Sequence, residues 1–253
     1  AVEQRYYELA KNPDIIFYEN EKPARFEKYR KLSPAFIEDF DWYTLDKSRW
    51  AYGFHASNEQ LIGNYSFDNE RQANSGGKNV SVVHGTFTLE TKHEKCISRA
   101  WNPTKGFYEK EFDYTSDVVQ TADEFRQTYG VFKAKIRCTG RAHHAFWLSN
   151  NSKLPHINIF HYDGKAITMG NAHENVMDEV RITGLKHSSF YIYTLEWTPK
   201  ELIWYINDLE VHRTTSNVPK ENLYLGFNSF LPNKEKPSTG KLEVDWVKVL
   251  SFN

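Results

Sequence analysis

The chain is 253 residues long, 40% hydrophobic and 15% aromatic, and its 32 Lys+Arg against 33 Asp+Glu leave a net charge of -1. That length supports a core without disulfide or metal staples, and the aromatic content with so little net charge excludes a disordered chain. The charge balance lacks the basic bias of a nucleic-acid binder, and no apolar run approaches the ~18 residues of a membrane span.

In chain order, the first elements differ from the rest. Arg5 to Lys11 and Ala24 to Leu32 are rich in charge and read at helical spacing, punctuated by Pro13, Pro23 and Pro34. Residues 1–35 are therefore expected to form a short, partly helical N-terminal extension. From Phe36 onward the pattern is strand after strand. Val80 to Glu90 alternates around His84-Gly85, and Tyr129 to Arg137 has period two. Phe190 to Trp197 and Leu202 to Ile206 follow, with Asn207-Asp208 as a turn pair. Lys241 to Leu250 closes the series. No long helical period separates these runs, which argues against βαβ units. The expectation is one all-β unit over 36–253, a two-sheet sandwich of jelly-roll type.

The two cysteines, Cys96 and Cys138, both fall in strand-like runs; a bridge and two free thiols are equally open. The chain starts at Ala1 rather than Met, which reads as a mature or trimmed form, and an extracytoplasmic location is expected: secreted, periplasmic or cell-surface.

Several segments stand in a telling order. Phe36-Ile37-Glu38-Asp39-Phe40-Asp41 precedes Leu45-Asp46-Lys47-Ser48-Arg49-Trp50; Tyr129 to Ile136 precedes Ala145-Phe146-Trp147-Leu148; Tyr193 to Pro199 leads into Ile203-Trp204-Tyr205-Ile206; the end reads Leu242 to Val249. This ordered set resembles glycoside hydrolase family 16, the laminarinase, agarase and carrageenase family, over roughly residues 36 to 251. The resemblance implies a concanavalin-like sandwich with an open polysaccharide cleft on its concave sheet.

The family's catalytic motif is Glu-x-Asp-x-x-Glu on one strand. At that place this chain has His156-Ile157-Asn158-Ile159-Phe160-His161. The apolar frame is kept and all three carboxyl groups are gone. On a regular strand His156 and Asn158 share a face, and His161 joins them only through a bulge. The resemblance implies that bulge, and so places all three on the cleft floor. Retaining hydrolysis needs two carboxyl groups about 5 Å apart, which this strand does not supply; Asp163, Glu174, Asp178 and Glu179 lie at other spacings.

Five of the ten histidines fall between residues 143 and 173: His143, His144, His156, His161 and His173. Three functional readings follow. In the first, the cleft binds a polysaccharide without hydrolysing it. Its candidate contacts are His144, His173 and Arg141, with Trp101, Trp147 and Tyr162 as stacking platforms. In the second, His156 or His161 acts as the base of an eliminative cleavage, since an imidazole pKa near ~6.5 suits proton abstraction at neutral pH. Asn158, Arg126, Arg137 or Arg141 would then neutralise a uronate carboxylate, and Tyr162 would protonate the leaving oxygen. In the third, His156, His161 and His173 hold a metal, although no closed ligand spacing is present. The expectation carried forward is a monomer whose partner is a polysaccharide or oligosaccharide, with no cofactor, no metal and no nucleic acid.

Overall fold

The computed structural model describes residues 31–151, 156–174, 176–182 and 184–253. Of the partly helical extension expected over 1–35, residues 1–30 lie outside the described residues, while its end is corrected: Leu32 to Ala35 already belong to the first strand of the sandwich. The first half of the strands runs β1 Leu32–Glu38, β2 Ala51–Tyr52, β3 Ser66–Phe67, β4 Gln72–Asn74, β5 Val80–Val83, β6 Thr86–Asn102, β7 Gly106–Ser116, β8 Val118–Gln120 and β9 Gly130–Gly140. The second half runs β10 His143–Ser149, β11 His156–Tyr162, β12 Ile167–His173, β13 Val176–Ile182, β14 Tyr191–Trp197, β15 Leu202–Ile206, β16 Leu209–Thr214, β17 Tyr224–Phe230 and β18 Gly240–Phe252. One turn of 3-10 helix, Glu59–Leu61, is the sole helical element among the described residues. None is long and apolar enough to cross a membrane.

These strands form two sheets. One has the order β16-β15-β14-β9-β18-β6-β7-β4, with β1 on β18 and β3 and β5 on β6; the other has β13-β12-β11-β10-β17-β8-β2. The period-two runs explain the arrangement. Along β9 the alternate residues Phe132, Ala134, Ile136 and Cys138 enter the core, while Lys133, Lys135 and Arg137 face out. From the second sheet Phe146, Leu148, Ile157, Ile159 and Phe227 meet them. The expected β5–β6 turn closes with His84 and Gly85 at φ +49° and +73°, and the β15–β16 turn with Asn207 and Asp208 at +46° and +63°. Cys96 is half-buried on β6 and Cys138 buried in β9; both are free thiols.

Two features shape the functional face. The β6–β7 hairpin is paired from Lys92↔Thr115 to Asn102↔Gly106, so it runs well past the sandwich, and β3 and β4 lie parallel along its flanks. It raises one wall beside the second sheet. The other feature is a bulge in β11. Phe160 pairs with Phe146 and Asn158 with Trp147, so Ile159 is an extra residue. The same insertion shows against β12, where Asn158 pairs with Gly170 and His161 with Thr168. A bulge frees a backbone carbonyl, and a buried one must find a donor. Trp204 of the opposite sheet supplies it, its Nε1–H donating to the Asn158 carbonyl at 3.0 Å.

Candidate functional site

The bulge puts His156, Asn158 and His161 on one face, where they line a cleft of about 750 Å³. The alternation of β10 and β17 adds Ala145, Trp147, Ser149, Tyr224, Asn228 and Phe230 to its floor. Phe54, His55, Tyr65, Phe67, Asp68, Glu70 and Trp101 build the wall, carried by the segments before β4 and by the end of β6.

The floor is internally bonded. His156 Nε2 donates to Asn158 Oδ1 at 2.9 Å, which leaves Nδ1 as the ring's acceptor. Burial holds the His156 pKa below the ordinary imidazole value. The Trp147 ring centre lies 5.7 Å from that of His156 and 5.9 Å from that of Tyr224, and its indole N–H donates to Asn228 Oδ1 at 2.9 Å. His161 lies in a chain: its Nε2 is 3.0 Å from His143 Nδ1, its Nδ1 is 3.2 Å from Thr168 Oγ1, and its ring stacks on Phe230. Burial, then the neighbouring His143, pushes its pKa down to about 4. Near neutral pH both floor histidines are therefore uncharged.

The wall holds a titrating carboxyl. Glu70 Oε2 accepts from Gln72 Nε2 at 2.7 Å, and Gln72 is oriented because its Oε1 accepts the Leu231 N–H at 2.7 Å. Burial pushes the Glu70 pKa up to about 7, against the pull of Gln72, of a backbone hydrogen bond with Phe67 and of Lys110. Asp68 accepts from Asn102 Nδ2 at 2.5 Å. Among the described residues no lysine or arginine lines the cleft; the acidic groups there are Asp68 and Glu70.

Other expected site residues lie elsewhere. His144 points into the core, fully buried, with Nδ1 2.6 Å from Ser229 Oγ and Nε2 3.3 Å from the Thr139 carbonyl. Burial drives its pKa down to about 3. Tyr162 is buried on the same side and donates to the Gly140 carbonyl at 3.1 Å. Both positions are corrected by strand parity: they neighbour cleft-facing residues and so face the other way. Ala172 pairs with His156, so His173 takes the opposite parity; it is exposed at the end of β12. Arg141 is exposed in the β9–β10 turn, and Arg137 is committed to Glu243 at 2.8 Å on the outer sheet. Arg126 supports the cleft from behind, bonded to Asn151 Oδ1 at 2.6 Å. Trp101 is on the wall, its ring 4.7 Å from Phe107.

With His173 apart, the three-histidine metal reading loses a ligand. Among the described residues no three His, Cys, Asp or Glu side chains gather as a metal site.

Tyr224 and Asn228 on the floor, His55, Asp68 and Glu70 on the wall, and His143 behind His161 are among the site residues the sequence reading passed over. For His143 a signal existed: counting by twos from Trp147 reaches it and skips His144. For the wall residues there was none, because the hairpin's overhang is a tertiary feature.

Comparison with known proteins agrees with this architecture. The model for glycosyl hydrolases family 16 matches residues 67–248. The endo-1,3-1,4-beta-glycanase EglC of Rhizobium meliloti is 26% identical over 202 residues, covering 72% of this chain and 42% of that protein. The Rhodothermus marinus beta-glucanase is 23% identical over 218 residues, covering 75% of this chain and 68% of that protein. The chain thus spans less than half of EglC. In structure, the catalytic domain of the Thermotoga petrophila endo-1,3-beta-glucanase (laminarinase) superposes with a TM-score of 0.70 at 17% identity, covering 88% of this chain and 99% of that one. The Pyrococcus furiosus endo-beta-1,3-glucanase also gives 0.70, at 19% identity, covering 88% and 96%. The sandwich, its cleft and the match over residues 67–248 together make this chain a member of glycosyl hydrolase family 16.

Proposed function

We propose that the cleft binds an uncharged polysaccharide of the β-glucan class and does not cleave it by covalent double displacement. One observation carries the reading: the three cleft-facing motif positions of β11 hold His156, Asn158 and His161, so the strand offers neither a carboxylate nucleophile nor a carboxylic acid. The floor keeps what binding needs. Trp147 and Tyr224 present ring surface, and His156, Asn158 and Asn228 present hydrogen-bonding groups.

Charge supports the neutral ligand. An elimination on a uronate needs a base and a group that neutralises the carboxylate. The described residues of the cleft lining include no lysine or arginine, and both ring nitrogens of His161 are engaged by His143 and Thr168. Asp68, joined by Glu70 once pH exceeds its pKa of about 7, would repel sulfate or uronate groups. The glucan itself is carried over from the matched relatives, one named a beta-glucanase and another an endo-1,3-1,4-beta-glycanase. With that ligand goes the proposal of an extracytoplasmic protein that meets polysaccharide as a monomer.

The test is affinity electrophoresis and calorimetry against laminarin, barley β-glucan, carrageenan and alginate. The neutral glucans should retard the protein and the anionic polymers should not. Preferential binding to carrageenan or alginate would overturn the ligand class; binding to none would overturn the reading.

A further inference from the structure

The hydrogen bonds around His161 do not stop at its neighbours. His143 Nε2 lies 2.7 Å from Glu235 Oε2, in the connection after β17. At the other end Thr168 bonds the Glu179 carboxyl, whose pKa burial raises. Glu235, His143, His161, Thr168 and Glu179 thus form a row of hydrogen-bonding groups along the cleft-facing side of the sheet, exposed at both ends and contributed by β10, β11, β12, β13 and one loop.

Proton counting fixes how this chain behaves. With Glu235 ionised, His143 must donate through Nε2–H, because a carboxylate only accepts. Neutral His143 then has a bare Nδ1, so His161 donates through its own Nε2–H. His161 Nδ1 is left to accept the Thr168 hydroxyl. From Glu235 to Thr168 every donor meets one acceptor, with the single Thr168 hydroxyl proton spent on His161 rather than on Glu179, and each ring is held in one tautomer. A proton taken up by this pair reverses half of the chain. His143 keeps its bond to Glu235 and now carries a proton on Nδ1, which requires a bare His161 Nε2. His161 then donates through Nδ1–H to Thr168, and the Thr168 hydroxyl turns to Glu179. A second proton would set two N–H groups against each other across 3.0 Å. The two histidines therefore cannot titrate as independent groups.

We propose that Glu235 and His143 are positioning residues for His161, and that the pair is a single one-proton unit. The unit holds the group at the family's acid/base position neutral and in its Nε2–H tautomer. Other charged or titratable groups facing it are His156 on β11, His144 on β10, Asp163 after β11, and Arg181 on β13, which is paired with Asp163. The ring states are independent of what fills the cleft; only the affinity readout rests on the glycan-binding reading.

The experiment is long-range proton–nitrogen NMR on histidine-labelled full-length protein without glycan, from pH 3.5 to 8. In the wild type both rings should be Nε2–H tautomers through neutral pH, and on acidification both should shift at one common midpoint. Glu235→Ala should unlock the His143 tautomer and lower that midpoint, because the anion that stabilises the shared proton is gone. Glu235→Gln should restore the tautomer, since its amide oxygen still accepts, without restoring the midpoint. Thr168→Val is a second, independent cut and should release His161 while leaving His143 bonded to Glu235. Glu235→Ala should also weaken glucan binding about five-fold, the scale of one hydrogen bond. Separate midpoints for the two rings, a His161 that titrates near 6.5, or unchanged tautomers in Glu235→Ala would each overturn the proposal. The expected ring behaviour in wild type and variants, with no glucan binding in any form, would sink the glycan reading and leave this one standing.

Discussion

The Trp147 indole lies against the α-carbon of Gly226 on the neighbouring strand: a β-carbon built at Gly226 would fall inside the ring. The two residues are paired across β10 and β17, and the missing side chain is the space in which the main floor aromatic sits. Gly226→Ala should therefore displace Trp147 rather than leave the floor intact. We expect about a ten-fold loss of glucan affinity, the upper end of the ~0.5–1.5 kcal/mol of a ring contact. Unfolding stability should fall by ~1–3 kcal/mol, as for overpacking. Calorimetry and urea unfolding read both. Unaltered affinity in a folded Gly226→Ala protein would remove Trp147 from the binding surface.

The β11 bulge is the device that turns His161 toward the cleft, and its cost is the carbonyl that Trp204 satisfies. Trp204→Phe keeps most of the packing and deletes the donor. The orphaned buried carbonyl should cost ~1–3 kcal/mol in stability. Because that carbonyl belongs to Asn158, affinity should drop with it, about five-fold. A stability loss with fully retained affinity would mean the bulge holds its shape without this bond.

Glu70 sets a pH dependence of stability with a definite sign. Its folded pKa is about 7, above the ordinary carboxyl value of 4.5. Between those pH values the native state keeps a proton that the unfolded chain has lost. Stability therefore falls as pH rises through that window and levels off above it. Glu70→Gln removes the ionisation and should be as stable as wild type at pH 5 and more stable at pH 8. Thermal melts of both proteins across pH 4.5 to 8.5 check this; parallel curves would show that Glu70 is ionised throughout.

Much of this was written in the sequence. The two-sheet fold follows from period-two runs such as Tyr129 to Arg137, whose alternate residues are the ones that enter the core. The His156, Asn158 and His161 placement followed from the family frame together with the bulge it implies. His144 and Tyr162 were misplaced although alternation from Trp147 and His161 assigns them to the core. What no local pattern carried was the wall: Glu70 meets the cleft only because the β6–β7 hairpin overshoots the sandwich. Its pKa, like that of His161, comes from burial that is absent in the linear chain. The tethering of His143 by Glu235 joins residues 92 positions apart.

The central claim is that this family 16 cleft binds glucan and does not cleave it by covalent double displacement. It is tested most directly by one long incubation of the wild-type protein with barley β-glucan and laminarin at pH 6 to 7, following retardation and reducing ends on the same samples. The account predicts retardation with no reducing ends above the buffer blank. Steady release of reducing ends by wild type, persisting in His156→Ala and His161→Ala, would contradict it and place a hydrolytic carboxylate elsewhere in the cleft.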